Sequence, residues 1–135
     1  MRGFAESHTI PQLLGEVRSL GDHSAVVDGG KALSYGNLEN EVHRVSRAFL
    51  AHGIHRGDRV SVWAPNRLEF ILAMLGAQAI GAAVVPLNTR FTGPESLTIM
   101  QRSRASILVV ADGFLGLKYS QMLIDAAATM GEPGD

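Results

Sequence analysis

Apolar residues recur along this chain with two periods, and the switches between them divide it into short elements. From Asn66 onward, Leu68, Ile71, Leu72, Leu75 and Ala79 fall at i, i+3, i+4, i+7 and i+11, which is one face of an α-helix. Asn66 and Glu69 hold the two positions of a capping box and place the start of that helix. Gly81 suits the left-handed residue past its end, and Ala82 to Val85 reads as a short buried strand stopped by Pro86. Phe70 to Leu87 carries one strongly polar residue, Gln78, over a length that could cross a bilayer. The internal Gly81, the terminal Pro86 and the lack of aromatic or basic anchors at the far end favour a buried helix feeding a strand, so no transmembrane segment is expected.

The same periods organise the rest. Thr9 can cap a first helix, with Gln12 at the box position, Pro11 in the first turn, Leu13, Leu14, Val17 and Leu20 as the apolar face, and Gly21 as its end. Ala25 to Val27, the turn Asp28-Gly29-Gly30, and Lys31 to Leu33 form a small hairpin. Ser34 caps the next helix, whose Leu38, Val42, Val45 and Phe49 lie on one side until Gly53 stops it. After the turn Ile54 to Asp58, Arg59 to Ala64 reads as a strand. A polar loop, Asn88 to Phe91, precedes a third capping box, Thr92 with Glu95, and a short helix carrying Leu97, Ile99 and Met100. Ser106 to Val110 is a further β-branched strand, and from Lys118 the residues Tyr119, Met122, Leu123, Ala126, Ala127 and Met130 mark a last helix.

Strands near Arg59, Ala82 and Ser106, separated by helical segments, are the signature of successive βαβ units with parallel strands. The fold class is therefore α/β, with a small N-terminal β-hairpin. Parallel sheets receive ligands at the carboxyl ends of their strands, so the loops after Trp63, Pro86 and Val110 are where chemistry is expected.

At 135 residues, 46% hydrophobic and 19% charged, the chain suffices for one domain, residues 1–135, or for one piece of a larger one. A formal charge of -1 offers no basic field for nucleic acid. The absence of cysteine excludes disulfides and thiolate metal sites, and Glu6 and His8 precede any apolar run of signal-peptide length, so a cytoplasmic address is expected. His8, His23, His43, His52 and His55 are scattered, and Gly53 separates His52 from His55, so solvated histidines are expected and a metal is not. Neither G-x-G-x-x-G nor G-x-x-x-x-G-K-[ST] is present. Asn66, like Thr9, Ser34 and Thr92, reads as a helix cap before it reads as a ligand contact. Arg90 differs, because it lies in a polar loop directly after a strand and could meet an anionic ligand.

Four ordered stretches carry a resemblance: Leu33-Ser34-Tyr35-Gly36-Asn37-Leu38, Gly57-Asp58-Arg59-Val60, Pro65-Asn66, and Gly81-Ala82-Ala83-Val84-Val85-Pro86-Leu87-Asn88. They resemble the opening of the acyl- and aryl-CoA synthetases of the adenylate-forming superfamily, over about residues 9–115. One departure is Asn37, where the family usually has Glu; the shorter arm weakens a box with Ser34 by about 0.5 kcal/mol.

The resemblance implies a partial N-terminal subdomain of the adenylate-forming fold. It also implies an enzyme that uses ATP and Mg²⁺ to make an acyl-adenylate from a carboxylic acid, fatty acids being the leading class, and passes the acyl group to coenzyme A. The family's phosphate loop and catalytic lysine have no counterpart here, so no catalytic residue is assigned, no cofactor is expected in this segment, and the chain alone is expected to be inactive. By resemblance, Asn88, Thr89, Arg90 and Lys118 lie at the coenzyme A entrance. The expected partners are the remainder of a ligase chain, or a second copy joined through an exposed sheet edge. A stand-alone α/β binding module without catalysis is the alternative.

Overall fold

Local chemistry starts the first helix. The Thr9 hydroxyl accepts the Gln12 N–H at 3.4 Å and Pro11 sits in the first turn of α1, Ile10–Val17. This computed structural model describes residues 9–131; the reading of the segment before Thr9, His8 included, lies outside the described residues. A 3₁₀ turn, Arg18–Leu20, ends at Gly21 with φ 56. Then come β1, Ser24–Asp28, and β2, Lys31–Ser34, paired antiparallel around Gly29 and Gly30. Both glycines have positive φ, 50 and 89, as the tight two-residue hairpin turn requires.

The remaining elements are α2 (Tyr35–Ala51), β3 (Arg59–Trp63), α3 (Leu68–Ala79), β4 (Ala83–Leu87), α4 (Gly93–Ser103), β5 (Ile107–Val110) and α5 (Tyr119–Met130). The strands β3, β4 and β5 form one parallel sheet in the order β4-β3-β5, with Val60 level with Val84 and Ile107. The α/β class and the hairpin are thus as read. The chain moves from β3 to β4 in one direction and from β4 across β3 to β5 in the other. Crossovers of one hand must then lie on opposite faces. Accordingly, Val60 and Val62 pack with Phe49 of α2 and with Ala73 and Ala77 of α3. Trp63 turns the other way, with Leu87 and Tyr119, towards Ile99 and Met100 of α4 and Met122 and Leu123 of α5. A third cluster, Leu14, Leu38, Val42 and Leu72, seals α1 and the hairpin against α2 and α3.

Three sequence expectations are corrected. Asn66 does not cap α3: the N-cap residue is Arg67, no side chain of its own caps it, and the Glu69 box does not form. The Leu68 N–H donates instead to Asp28 Oδ2 at 3.0 Å, so the hairpin places a carboxylate at the positive end of the helix. Ser34 does hold the N-cap position of α2, but its hydroxyl makes no cap bond. The Tyr35 and Gly36 N–H groups donate to the carbonyls of His23 and Gly21 at 3.0 and 2.8 Å. The box at Ser34, and with it the estimated effect of Asn37, is therefore not realised. Pro86 lies within β4 rather than ending it, since an edge strand tolerates a residue with no N–H to give. The box of Thr92 and Glu95 does form, on both arms.

The Gly57-Asp58-Arg59 stretch has a structural explanation. Gly57 has φ 89 and donates to Gly81 O at 2.9 Å, while Asp58 Oδ2 accepts the His55 N–H at 2.7 Å. The Arg59 guanidinium donates to the carbonyls of Ser103, Arg104 and Gly57 at 2.8, 2.9 and 2.7 Å, placing a cation at the carboxyl end of α4. Caps borrowed from distant segments are testable. Asp28→Ala should cost about 1 kcal/mol, read as a lowered urea midpoint with an unchanged slope; an unchanged midpoint would show that the Asp28 contact contributes nothing.

Candidate functional site

A ligand site in a doubly wound sheet lies where adjacent strands send their chains to opposite faces. Here that place is between β3, which leads to α3 on one face, and β4, which leads to α4 on the other. A cleft of about 550 Å³ opens there. Ala64, Pro65 and Asn66 from the end of β3 form one wall, Pro86 to Thr89 from the end of β4 form the other, and Phe70 and Phe114 close the sides. The loops after Trp63, Pro86 and Val110 thus meet around one opening. The guanidinium of Arg67 stands 6.0 Å from the ring centroid of Phe114, tying the loop after β3 to the segment after β5.

The β4 wall is held from below. Trp63 is fully buried, and its Nε1–H donates to the Asn88 carbonyl at 2.9 Å. Tyr119, equally buried at the first position of α5, donates its hydroxyl to the Thr89 carbonyl at 3.2 Å. The two rings pack together, with centroids 4.6 Å apart and planes at 33°. Above them the Asn88 side chain folds back, its Oδ1 accepting the Arg90 N–H at 2.9 Å, and the Asn88 carbonyl also accepts from the Phe91 N–H at 3.0 Å. Such Asx turns fix a loop with a short polar side chain. Burial pushes the Tyr119 phenol up from its ordinary value.

Of the four residues assigned by resemblance, Asn88 and Thr89 line the cleft, whereas Arg90 and Lys118 do not. Both cations are exposed, and neither side chain makes a hydrogen bond or ion pair among the described residues. Asn66 lines the cleft in place of its expected capping role. Near Lys118, Asp112 accepts from both the hydroxyl and the N–H of Ser120 in the first turn of α5. Those Ser120 bonds come first in holding the Asp112 carboxyl below its usual range, and the Lys118 charge adds a little. Sequence reading missed Trp63, Tyr119 and Phe114 as parts of the site. The one signal available was a single tryptophan at the carboxyl end of a strand.

Among the described residues no helix is long and apolar enough to cross a membrane, and no group of three or more histidine, aspartate or glutamate side chains is placed to hold a metal.

A family model described as AMP-binding enzyme matches residues 15–133. Among curated proteins, a 3-[(3aS,4S,7aS)-7a-methyl-1,5-dioxo-octahydro-1H-inden-4-yl]propanoyl:CoA ligase from Rhodococcus jostii is 37% identical over 86% of this chain and 22% of its own length. A crotonobetaine/carnitine--CoA ligase from Citrobacter koseri is 38% identical over 70% of this chain and 18% of its own length. The chain therefore spans about a fifth of the length of these relatives. Among solved structures, the inhibitor-bound N-terminal domain of FACL13 from Mycobacterium tuberculosis superposes with a TM-score of 0.79 at 27% identity, covering 93% of this chain and 31% of that one.

Proposed function

Because the chain belongs to the AMP-binding enzyme family, we propose that it forms the N-terminal part of an ATP- and Mg²⁺-dependent carboxylate-CoA ligase acting through an acyl-adenylate. In this reading the segment supplies the sheet and the coenzyme A entrance, and other parts of a ligase supply the phosphate loop and the catalytic lysine. The observation that carries it is the switch-point cleft, one wall of which is the Asn88-Thr89 loop, with the unpaired Arg90 next in the chain. An exposed guanidinium free of protein partners suits a phosphate-bearing ligand, and Lys118 is a second cation at the start of α5.

The acid is not written in this segment. Relatives named for a fused-ring propanoyl group and for crotonobetaine or carnitine match it at nearly the same identity, 37% and 38%. Fatty acids remain the leading class on the likeness to a solved structure described as a fatty acyl CoA synthetase from Mycobacterium tuberculosis, 27% identical over 93% of this chain. The cytoplasm, where ATP and coenzyme A are held, is the matching compartment.

Isothermal titration of the chain tests the reading. Coenzyme A should bind and Arg90→Ala should weaken that binding about tenfold, the loss of one charge-assisted contact. ATP should not bind in the micromolar range. Micromolar ATP binding would refute the absence of a nucleotide site, and equal affinity of Arg90→Ala and wild type would remove the loop assignment.

The partner reading rests on β5. It is an edge strand among the described residues, and its four aliphatic side chains are packed against the two faces of the sheet yet only partly buried. An unpaired, apolar edge is a template for further pairing. We therefore expect the chain alone to self-associate, giving a light-scattering mass that rises with concentration; a constant monomeric mass would exclude this.

A further inference from the structure

We infer that Trp63 and Tyr119 are positioning residues for the ligand-facing loop, holding the backbone of Asn88 and Thr89 so that the free Arg90 side chain starts from one fixed backbone position. This deepens the coenzyme A reading above and rests on it. The loop has two successive carbonyls, and each is gripped by a buried aromatic donor: Asn88 O by Trp63 Nε1 at 2.9 Å and Thr89 O by Tyr119 Oη at 3.2 Å. The next residue, Arg90, has its N–H fixed by the Asn88 side chain at 2.9 Å, while its own side chain is unrestrained by protein. On the far side the Phe91 N–H donates to the Asn88 carbonyl at 3.0 Å, and backbone fixed on both sides of a free cation reduces the ordering required when an anion is captured.

The two aromatic donors come from different elements, the end of β3 and the start of α5, and their rings, tilted at 33° and 4.6 Å apart, make one platform under the loop. A purely space-filling role would need the rings but not the hydroxyl. Phenylalanine at 119 keeps the ring and the contact with Trp63 and removes the donor alone, which separates the two roles.

The probe is coenzyme A, titrated into the 135-residue chain, its Tyr119→Phe and Arg90→Ala variants and the double variant, with thermal melts alongside. Tyr119→Phe should melt within a few degrees of wild type yet bind coenzyme A about fivefold more weakly, the effect of one neutral hydrogen bond. The double variant should bind no more weakly than Arg90→Ala, because the hydroxyl acts through Arg90. If Tyr119→Phe binds like wild type while Arg90→Ala does not, or if the two losses multiply, the positioning role is overturned and the loop assignment survives. If Arg90→Ala binds like wild type, or wild type does not bind, the coenzyme A reading fails and this inference falls with it. Should Tyr119→Phe melt far below wild type, the titrations are repeated at a temperature where circular dichroism shows every variant folded, with the same outcomes deciding.

Discussion

Replacing Trp63 by alanine should cost the fold about 3–5 kcal/mol, the range for deleting a large buried aromatic side chain. Several losses coincide at this site. The side chain is fully buried at the end of the central strand, in a cluster with Leu87 and Tyr119 that joins the sheet to α4 and α5. Its removal leaves a cavity there, strips Tyr119 of its ring partner, and deprives the Asn88 carbonyl of one of its two donors. Domains of this size are stable by only about 5–15 kcal/mol, so the variant should lose a large share of its stability and melt well below wild type. Urea titration followed by circular dichroism reads the loss as a lowered midpoint. A shift worth less than about 1 kcal/mol would mean that the α4-α5 face adds little to the stability of the sheet. Trp63→Phe should fall between the two, since it refills most of the volume without the N–H.

The second large effect is expected at Gly93, the buried first residue of α4. A methyl group there would run into the backbone carbonyl of Met122 and crowd Ala126, both on α5. A side-chain obstacle can turn away, but a helix carbonyl moves only with its helix. Gly93→Ala should therefore cost about 3 kcal/mol, the upper end of what overpacking does. The loss should appear first as faster exchange of the α4 and α5 amides. Gly15 is the matched control, being exposed in the middle of α1 with nothing near the place its Cβ would take. Gly15→Ala should stabilise by about 0.5–1 kcal/mol through helix propensity. Equal midpoints for the two variants would show that α4 and α5 separate without penalty.

The family motifs have different uses once folded. Gly57-Asp58-Arg59 secures a turn and the end of α4, whereas Pro65-Asn66 and Pro86-Leu87-Asn88 form the two walls of the cleft. Motif strength in the sequence therefore does not separate a structural role from a functional one. Position relative to the strand ends does, because in a parallel sheet the carboxyl ends face the ligand and the amino ends face the supporting turns.

What the sequence determined by itself was the element order and the βαβ plan, because helix and strand periods and the caps at Thr9 and Thr92 depend on residues at most four apart. The carboxyl-end loops followed from that plan, while Asn88 and Thr89 within one of them were singled out by the family resemblance alone. Only the tertiary structure decided who caps what over distance: Asp28 serves α3 across 40 residues, the Gly21 and His23 carbonyls serve α2, and Arg59 reaches Ser103 across 44. It likewise decided that Trp63 and Tyr119 meet beneath the loop and that Asn66 faces a cleft instead of a helix end. The physical reason is that a hydrogen-bonding group needs a partner but does not specify which. When the chain closes over itself, the nearest unsatisfied group in space takes the bond from the nearest in sequence.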